Sequence, residues 1–319
     1  MKIYMLLLLF LFVCFNTFGQ AGKLIRQAKR TDSNTEKIKL YNQAIELEPN
    51  NLDAYFFRGL AKNDIGEFHS AITDYSKIIL IKPDADTYFN RGNARFSLND
   101  FTGAKNDYAK AYELDNSFLE ALFSMACANY DLGNYSETIT NCSQFIKTDP
   151  HQPRVYNLRA MAYNTLKKYQ SAIADYNTAV IILPDAESYY NRGVFLLNIN
   201  YYKNAQSDLT KSIQLGNKTG FAFFYRGTCN VLVSDYKNAI NDYKTTLNFD
   251  ALDFDALLGL AMAYLKSNDT KNAKLYYNKA VNIISPTKRV TGINDFKHTY
   301  WYEHQYYFFN KNITALSKL

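Results

Sequence analysis

The sequence predicts an all-α fold, a solenoid of about eight helical hairpins followed by a carboxyl-terminal helix, on three observations that share one period. Small residues recur at Gly59, Gly92, Ala126, Ala160, Gly193, Gly227 and Ala261, in steps of 33 or 34. A second small-residue series lies twelve positions further on, at Ala71, Ala104, Thr138, Ala172, Ala205, Ala239 and Ala273, and takes the same steps. Proline keeps the register too: Pro49, Pro83, Pro150 and Pro184 share one slot, and Pro286 falls one residue past it. Self-similarity at a period of about 34 residues is what stacked helical hairpins produce.

The 319 residues carry 36 basic and 30 acidic side chains, a formal net charge of +6, and are 47% hydrophobic. That balance excludes a disordered chain and a multi-span membrane protein. Acids and bases are interspersed, with no run of five like charges, so no nucleic-acid partner is expected. The outlier is aromatic content: 27 Tyr and 22 Phe against one Trp.

Lys2 precedes an apolar run from Met5 to Phe15, and the small residues Thr17 and Gly19 follow it two apart. This pattern predicts a secretory signal peptide over 1–19, cleaved after Gly19. The run is short of the ~20 residues of a spanning helix, which disfavours an uncleaved anchor. Val13, before Cys14, stands where lipoprotein processing needs a small residue. Beyond the cleavage site the chain is expected to have no membrane span, and to lie in the periplasm or be secreted, in a bacterial envelope.

Within one period, Tyr55 to Ile81 for example, apolar residues recur at spacings of three and four in two stretches separated by Asp64-Ile65-Gly66-Glu67. This is the pattern of two amphipathic helices and a tight turn. Gly59 and Ala71 fall where the two backbones approach, with Tyr55, Phe68 and Tyr75 filling the space around them.

These units resemble the tetratricopeptide repeat: Tyr55, Arg58-Gly59, Phe68, Ala71, Tyr75 and Pro83 occupy its signature positions, as do Tyr88, Arg91-Gly92, Phe101, Ala104 and Tyr108 in the next unit. Eight units are expected, at about 20–51, 52–84, 85–118, 119–152, 153–185, 186–219, 220–253 and 254–287, the first degenerate in its opening helix. The resemblance implies an α-α superhelical solenoid and assigns many of the aromatics to repeated packing positions.

One departure from the family pattern is an Arg before the glycine or alanine: Arg58, Arg91, Arg159, Arg192 and Arg226. Each is matched sixteen residues later by an Asp: Asp74, Asp107, Asp175, Asp208 and Asp242. The units with Leu24, Met125 or Leu260 in place of the Arg have Leu40, Asn141 and Tyr276 in place of the Asp, so both members are present or both absent. Such pairing points to contact between the two helices of one unit. A row of anion-binding arginines is the alternative.

No chemistry-bearing constellation emerges. The four histidines, His69, His151, His298 and His304, have no metal-ligand spacing, and there is no Cys-x-x-Cys, phosphate-cradling glycine loop or nucleophile elbow. The expectation is a non-enzyme without cofactor or metal. Cys127, Cys142 and Cys229 read as buried fillers, with a Cys127–Cys142 bridge the disfavoured alternative.

The resemblance further implies that the first helices line a groove that holds an extended peptide or a partner helix. Carried over residue by residue, the groove slots are Phe56, Leu60 and Asn63; Phe89, Asn93 and Phe96; Phe123, Cys127 and Tyr130; Asn157, Met161 and Asn164; Tyr190, Val194 and Leu197; Phe224 and Val231; and Leu258, Met262 and Leu265. Phe89 stands where family members that clamp a chaperone's terminal carboxylate need a base. An apolar or amphipathic protein segment is therefore the expected partner. Packing between neighbouring first helices is an equal account of any one of these aromatics, and a glycan ligand is a further alternative.

After Pro286 the register stops. Residues 288–319 read as a linker and a capping helix over about 298–317, with Trp301, Phe308, Ile313 and Leu316 on one face, covering the apolar edge that a solenoid's last unit exposes. The expected function is a non-catalytic scaffold or adaptor of the cell envelope. The alternative is a structural, self-associating solenoid that uses its ends and its terminal helix.

Overall fold

A computed structural model describes residues 19–286, 290 and 292–319. The signal-peptide expectation falls on residues 1–18, outside the described residues, apart from Gly19. The described residues are helical throughout with no strand, and they separate into two compact units, one ending at Pro150 and one running from His151 to Leu319.

The first unit holds α1 (19–28), α2 (Asn34–Leu47), α3 (Leu52–Asp64), α4 (Phe68–Ile81), α5 (Ala85–Ser97), α6 (Phe101–Leu114), α7 (Leu119–Asp131) and α8 (Tyr135–Thr148). The second holds α9 (Pro153–Thr165), α10 (Tyr169–Ile182), α11 (Ala186–Asn198), α12 (Tyr202–Gln214), α13 (Gly220–Leu232), α14 (Tyr236–Phe249), α15 (Phe254–Lys266) and α16 (Thr270–Ile284). After these come a 3-10 turn (Ile293–Phe296), α17 (Tyr300–His304) and α18 (Tyr306–Leu316). From α3 to α16 each odd-numbered helix packs against the next even one as a hairpin.

Short polar side chains start many of these helices by accepting an otherwise orphaned backbone N–H. Asn51 accepts from Ala54 N at 3.0 Å, Asp84 from Thr87 N at 2.9 Å, Asp185 from Ser188 N at 2.8 Å and Asp253 from Ala256 N at 2.9 Å. Pro153 opens α9, where its missing N–H costs nothing. Asp84→Ala is expected to lower stability by about 1 kcal/mol, read as a fall in the urea midpoint.

The turn inside each hairpin adds another series with the repeat's period. Gly66, Asn99, Gly133, Lys167, Asn200, Ser234 and Asn268 all have positive φ, from 58° to 81°. A left-handed residue lets the chain leave the first helix and re-enter the second within two or three residues. Gly and Asn tolerate that conformation, whereas Lys167 and Ser234 crowd their own carbonyls. Ser234→Gly is expected to raise stability by about 0.5 kcal/mol, seen as a higher urea midpoint at unchanged m-value.

Inside the hairpin the small residues do what their spacing implies, with one refinement. A Cβ on Gly59 would stand 2.6 Å from Cε1 of Tyr75, and one on Gly92 would stand 2.7 Å from Cε1 of Tyr108. The glycine is therefore fitted to the aromatic ring of the second helix, not to Ala71 or Ala104 themselves, which are fully buried beside it. Tyr75, Tyr108, Tyr176 and Tyr243 fill the cores of their hairpins, which accounts for part of the aromatic excess.

The carboxyl end differs from the single helix expected over 298–317. The chain breaks at Gln305, whose φ of −131° and ψ of 38° are not helical. The break re-aims α18, so Phe309 is fully buried and Phe308 only half-buried, and Phe296 of the 3-10 turn joins the same core.

Candidate functional site on the first helices

Each of the five arginines meets its aspartate in a side-on fork between the two helices of one hairpin, with Nε bonding one carboxylate oxygen and Nη2 the other. For Arg58 and Asp74 the two distances are 2.8 and 2.5 Å, for Arg91 and Asp107 2.9 and 2.7 Å, and for Arg159 and Asp175 2.8 and 2.7 Å. Arg192 and Asp208 give 2.7 and 2.8 Å, and Arg226 and Asp242 2.9 and 2.6 Å. The aspartates are buried and the arginines nearly so, which leaves little guanidinium surface for a soluble anion.

Three features of this ladder were not read from the sequence. Nη1 reaches back to the preceding hairpin, to Asn42 Oδ1 at 2.7 Å from Arg58, Ser76 Oγ at 3.1 Å from Arg91 and Asn177 Oδ1 at 3.0 Å from Arg192, so the pair ties neighbouring units as well. An aromatic three residues before each Arg lies against the guanidinium: Tyr55, Tyr88, Tyr156, Tyr189 and Phe223. The residue four after the Arg adds a second donor in three units, as Lys62 to Asp74 (2.9 Å), Arg95 to Asp107 (2.8 Å) and Asn230 to Asp242 (2.8 Å). Where the Arg is missing, the same two positions still touch. Asn129 donates to Asn141 at 3.1 Å, and Tyr264 stacks on Tyr276 with centroids 5.7 Å apart. Burial of Asp242 raises its pKa in spite of Arg226 and Asn230, so its desolvation outweighs the pairing.

The groove slots separate into two groups. Phe56, Leu60, Asn63, Phe89, Asn93, Phe96, Phe123, Cys127 and Tyr130 in the first unit are half-buried, as are Asn157, Asn164, Tyr190, Val194 and Leu265 in the second; Met161 is exposed. Their rings also pack on neighbours: Phe89 lies 4.8 Å from Phe118 and 5.7 Å from Tyr108, and Phe96 lies 5.1 Å from Phe101. They are therefore partly exposed rings already held against neighbouring aromatics. Burial of Tyr190 pushes its phenol up to about 12. Asn93 is already engaged, its Oδ1 accepting from the Tyr108 hydroxyl at 2.8 Å, which removes one acceptor that a sugar would need. Asn63 Oδ1 and Asn157 Oδ1 are buried without a partner among the described residues, a standing cost of about 1–3 kcal/mol for each acceptor until a donor reaches it.

Leu197, Phe224, Val231, Leu258 and Met262 form the other group and correct the expectation of an open surface along the whole array, because all five are buried. The reason is the carboxyl-terminal segment. Tyr300 lies edge-on to Phe224 at 5.1 Å and to Tyr225 at 5.8 Å, and Trp301 meets Phe224 at 6.5 Å and Tyr243 at 6.4 Å. Trp301 Nε1 donates to the backbone oxygen of Asp255 at 2.8 Å, and Phe309, Ile313 and Leu316 share one core with Leu258 and Met262. Leu197 sits in the adjacent cluster with Cys229, on which Tyr300 also packs. Cys142 and Cys229 are buried and Cys127 is half-buried, and burial raises the Cys229 thiol.

Asp255, at the start of α15, lies under this segment. Burial raises its carboxyl to about 7, against the lowering pull of the Tyr300 and Trp301 backbone amides, and Asp253 and Glu303 push the same way as burial. The other titratable groups facing it are the Tyr225 phenol of α13 and the Tyr300 phenol of α17. A folded value above the ordinary 3.8 means that this stabilisation is complete below about pH 4 and is lost as pH rises through 7. The melting midpoint followed by Trp301 fluorescence is therefore expected to fall between pH 5 and 8, and to fall less in Asp255→Asn.

Comparison with known proteins agrees with this architecture. Family models described as tetratricopeptide repeat match residues 52–84, 85–118, 186–218 and 254–285, and a second such model matches 123–187. The chain is 27% identical to human tetratricopeptide repeat protein 13 over 42% of its own length, and 23% identical to the human mitochondrial import receptor subunit TOM70 over 85%. It spans 16% and 40%, respectively, of the length of these curated relatives. Among solved structures, a tetratricopeptide repeat protein from Parabacteroides merdae superposes with a TM-score of 0.61 at 16% identity, over 81% of this chain and 99% of that one. With repeat models over more than half of its length, the chain belongs to the tetratricopeptide repeat family.

Proposed function

We propose that this protein is a non-catalytic scaffold that holds an extended or helical segment of another protein against the aromatic, Asn-bearing face of its first helices. The observation that carries the reading is internal: where the chain has a helical segment of its own within reach, the slots at Phe224 and Leu258 take up its aromatic side chains. The equivalent slots in α3, α5 and α7 keep Phe56, Phe89, Phe96 and Tyr130 partly at the surface. Well-packed aromatic anchors are what interface hot spots use. Membership of a family that includes an import receptor subunit is in keeping with such a role.

The scaffold is proposed to act in the bacterial envelope, in the periplasm or secreted, on the strength of the leader-like pattern of residues 1–19. Amino-terminal sequencing of the protein from its native host is expected to begin at Gln20, and a protein beginning at Met1 contradicts export with cleavage.

Affinity capture from native envelope extract tests the binding reading, with the parent run beside a Phe89→Asp/Phe123→Asp variant of matching helicity and melting. One protein that binds the parent and is lost from the variant supports the first-helix face. Unchanged capture moves the interaction to the ends of the second helices, where Leu80 and Leu114 are exposed, and favours the structural or self-associating reading.

A further inference from the structure

We propose that the cavity between the turn ends of the α9–α10 and α11–α12 hairpins binds a neutral sugar. None of its lining residues is a groove slot, so the site goes beyond the scaffold reading and does not rest on it.

The cavity measures about 400 Å³, within the roughly 300–1,000 Å³ of small-molecule sites. Its floor is the apolar core of the two hairpins, where Leu196 is buried and Ile173 half-buried. Two tyrosines, Tyr169 and Tyr201, and three carboxamides, Gln170, Asn198 and Asn200, line its sides, and no charged side chain does. Gln170 and Asn198 make no side-chain hydrogen bond among the described residues. Asn200, in a left-handed turn at φ 68°, accepts the Tyr202 hydroxyl on Oδ1 at 2.8 Å, which fixes the side chain and leaves its Nδ2 hydrogens to donate. A carboxamide both donates and accepts, as a sugar hydroxyl does, and a tyrosine ring suits the C–H face of a pyranose. An anion would find no cation in the lining, and an apolar ligand would leave the carboxamides unpaired.

Both tyrosines depart from what the repeat does elsewhere. Tyr169 is 43% exposed, whereas Phe68, Phe101, Tyr135, Tyr202 and Tyr236 in the same slot of other hairpins are half-buried. Tyr201 is 57% exposed and stands at the N-cap of α12, where Asp100, Asp235 and Asp269 accept a backbone N–H at the start of α6, α14 and α16. Tyr201 makes no such bond, and neither tyrosine lies against another ring among the described residues. The chain thus gives up a cap to present a ring to water beside a cavity, with no packing gained in return. Local rules are broken in this way at functional sites.

The test is saturation-transfer NMR on the full chain with cellotriose, maltotriose, xylotriose and mannotriose at millimolar concentration, and trigalacturonate as the charged control. At least one neutral trisaccharide is expected to bind, with the strongest transfer to the C–H protons of one ring face and slowed hydrogen exchange at 167–173 and 196–202. Tyr201→Asp is the decisive variant, because it supplies the missing cap. Its urea midpoint is expected to rise while its affinity for that sugar falls at least tenfold, so lost binding is not lost folding. Tyr169→Ala is expected to weaken the same sugar at least tenfold at unchanged helicity. No transfer to any neutral trisaccharide, transfer to trigalacturonate alone, affinity unchanged in both variants, or protection in α3, α5 and α7 in place of these turns each overturns the proposal. The readout needs only the chain and a free sugar, so its failure leaves the scaffold reading standing, and an empty affinity capture leaves this site standing.

Discussion

Arg192→Ala is expected to lower stability by about 3–5 kcal/mol, because it leaves the Asp208 carboxylate buried without its two hydrogen bonds. On an Asp208→Ala background the same substitution costs far less, since the intact pair contributes little net energy once both desolvation costs are counted. This unit gives the clearest cycle: its position four after the Arg is Leu196, so no second cation takes over. Arg58→Ala is expected to be milder, because Lys62 keeps Asp74 paired at 2.9 Å. A coupling energy near zero between Arg192 and Asp208 in urea unfolding rejects the ladder as a structural device.

Trp301→Ala is expected to remove about 3–5 kcal/mol from the docking of the terminal segment, by emptying the recess and losing the bond to Asp255. Because repeat arrays are stabilised by nearest-neighbour terms, the loss stays local. Limited trypsin digestion is expected to release fragments ending at Lys311, while circular dichroism loses only the contribution of two short helices. Collapse of the whole array in this variant contradicts a docked segment and makes the tryptophan part of the core that the repeats themselves need.

How far the sequence reached depended on whether a feature repeats. Gly59, Gly92 and their partners announced the hairpins because one steric requirement recurs at each unit, and the Arg and Asp pairs announced themselves by appearing and disappearing together. The left-handed turn at Lys167 and Ser234 was hidden, since neither residue type signals positive φ, although it shares the same period. The Tyr-x-x-Arg stack was present in the sequence but was absorbed into general aromatic packing. Trp301, Gln305 and Asp255 occur once each in their roles, so no periodicity could expose them. The fold of 299–316 onto α13 joins positions about 76 residues apart, Tyr300 with Phe224, which amphipathic spacing alone does not specify. The burial of Leu258 and Met262 followed from that unseen contact.

The central claim, that the first-helix face is where this scaffold holds its partner, is tested most directly by hydrogen exchange of the chain with and without the captured protein. Slowed exchange in α3, α5 and α7, with α4, α6 and α8 unchanged, is the predicted footprint. Protection confined to the ends of α4 and α6 around Leu80 and Leu114 contradicts it.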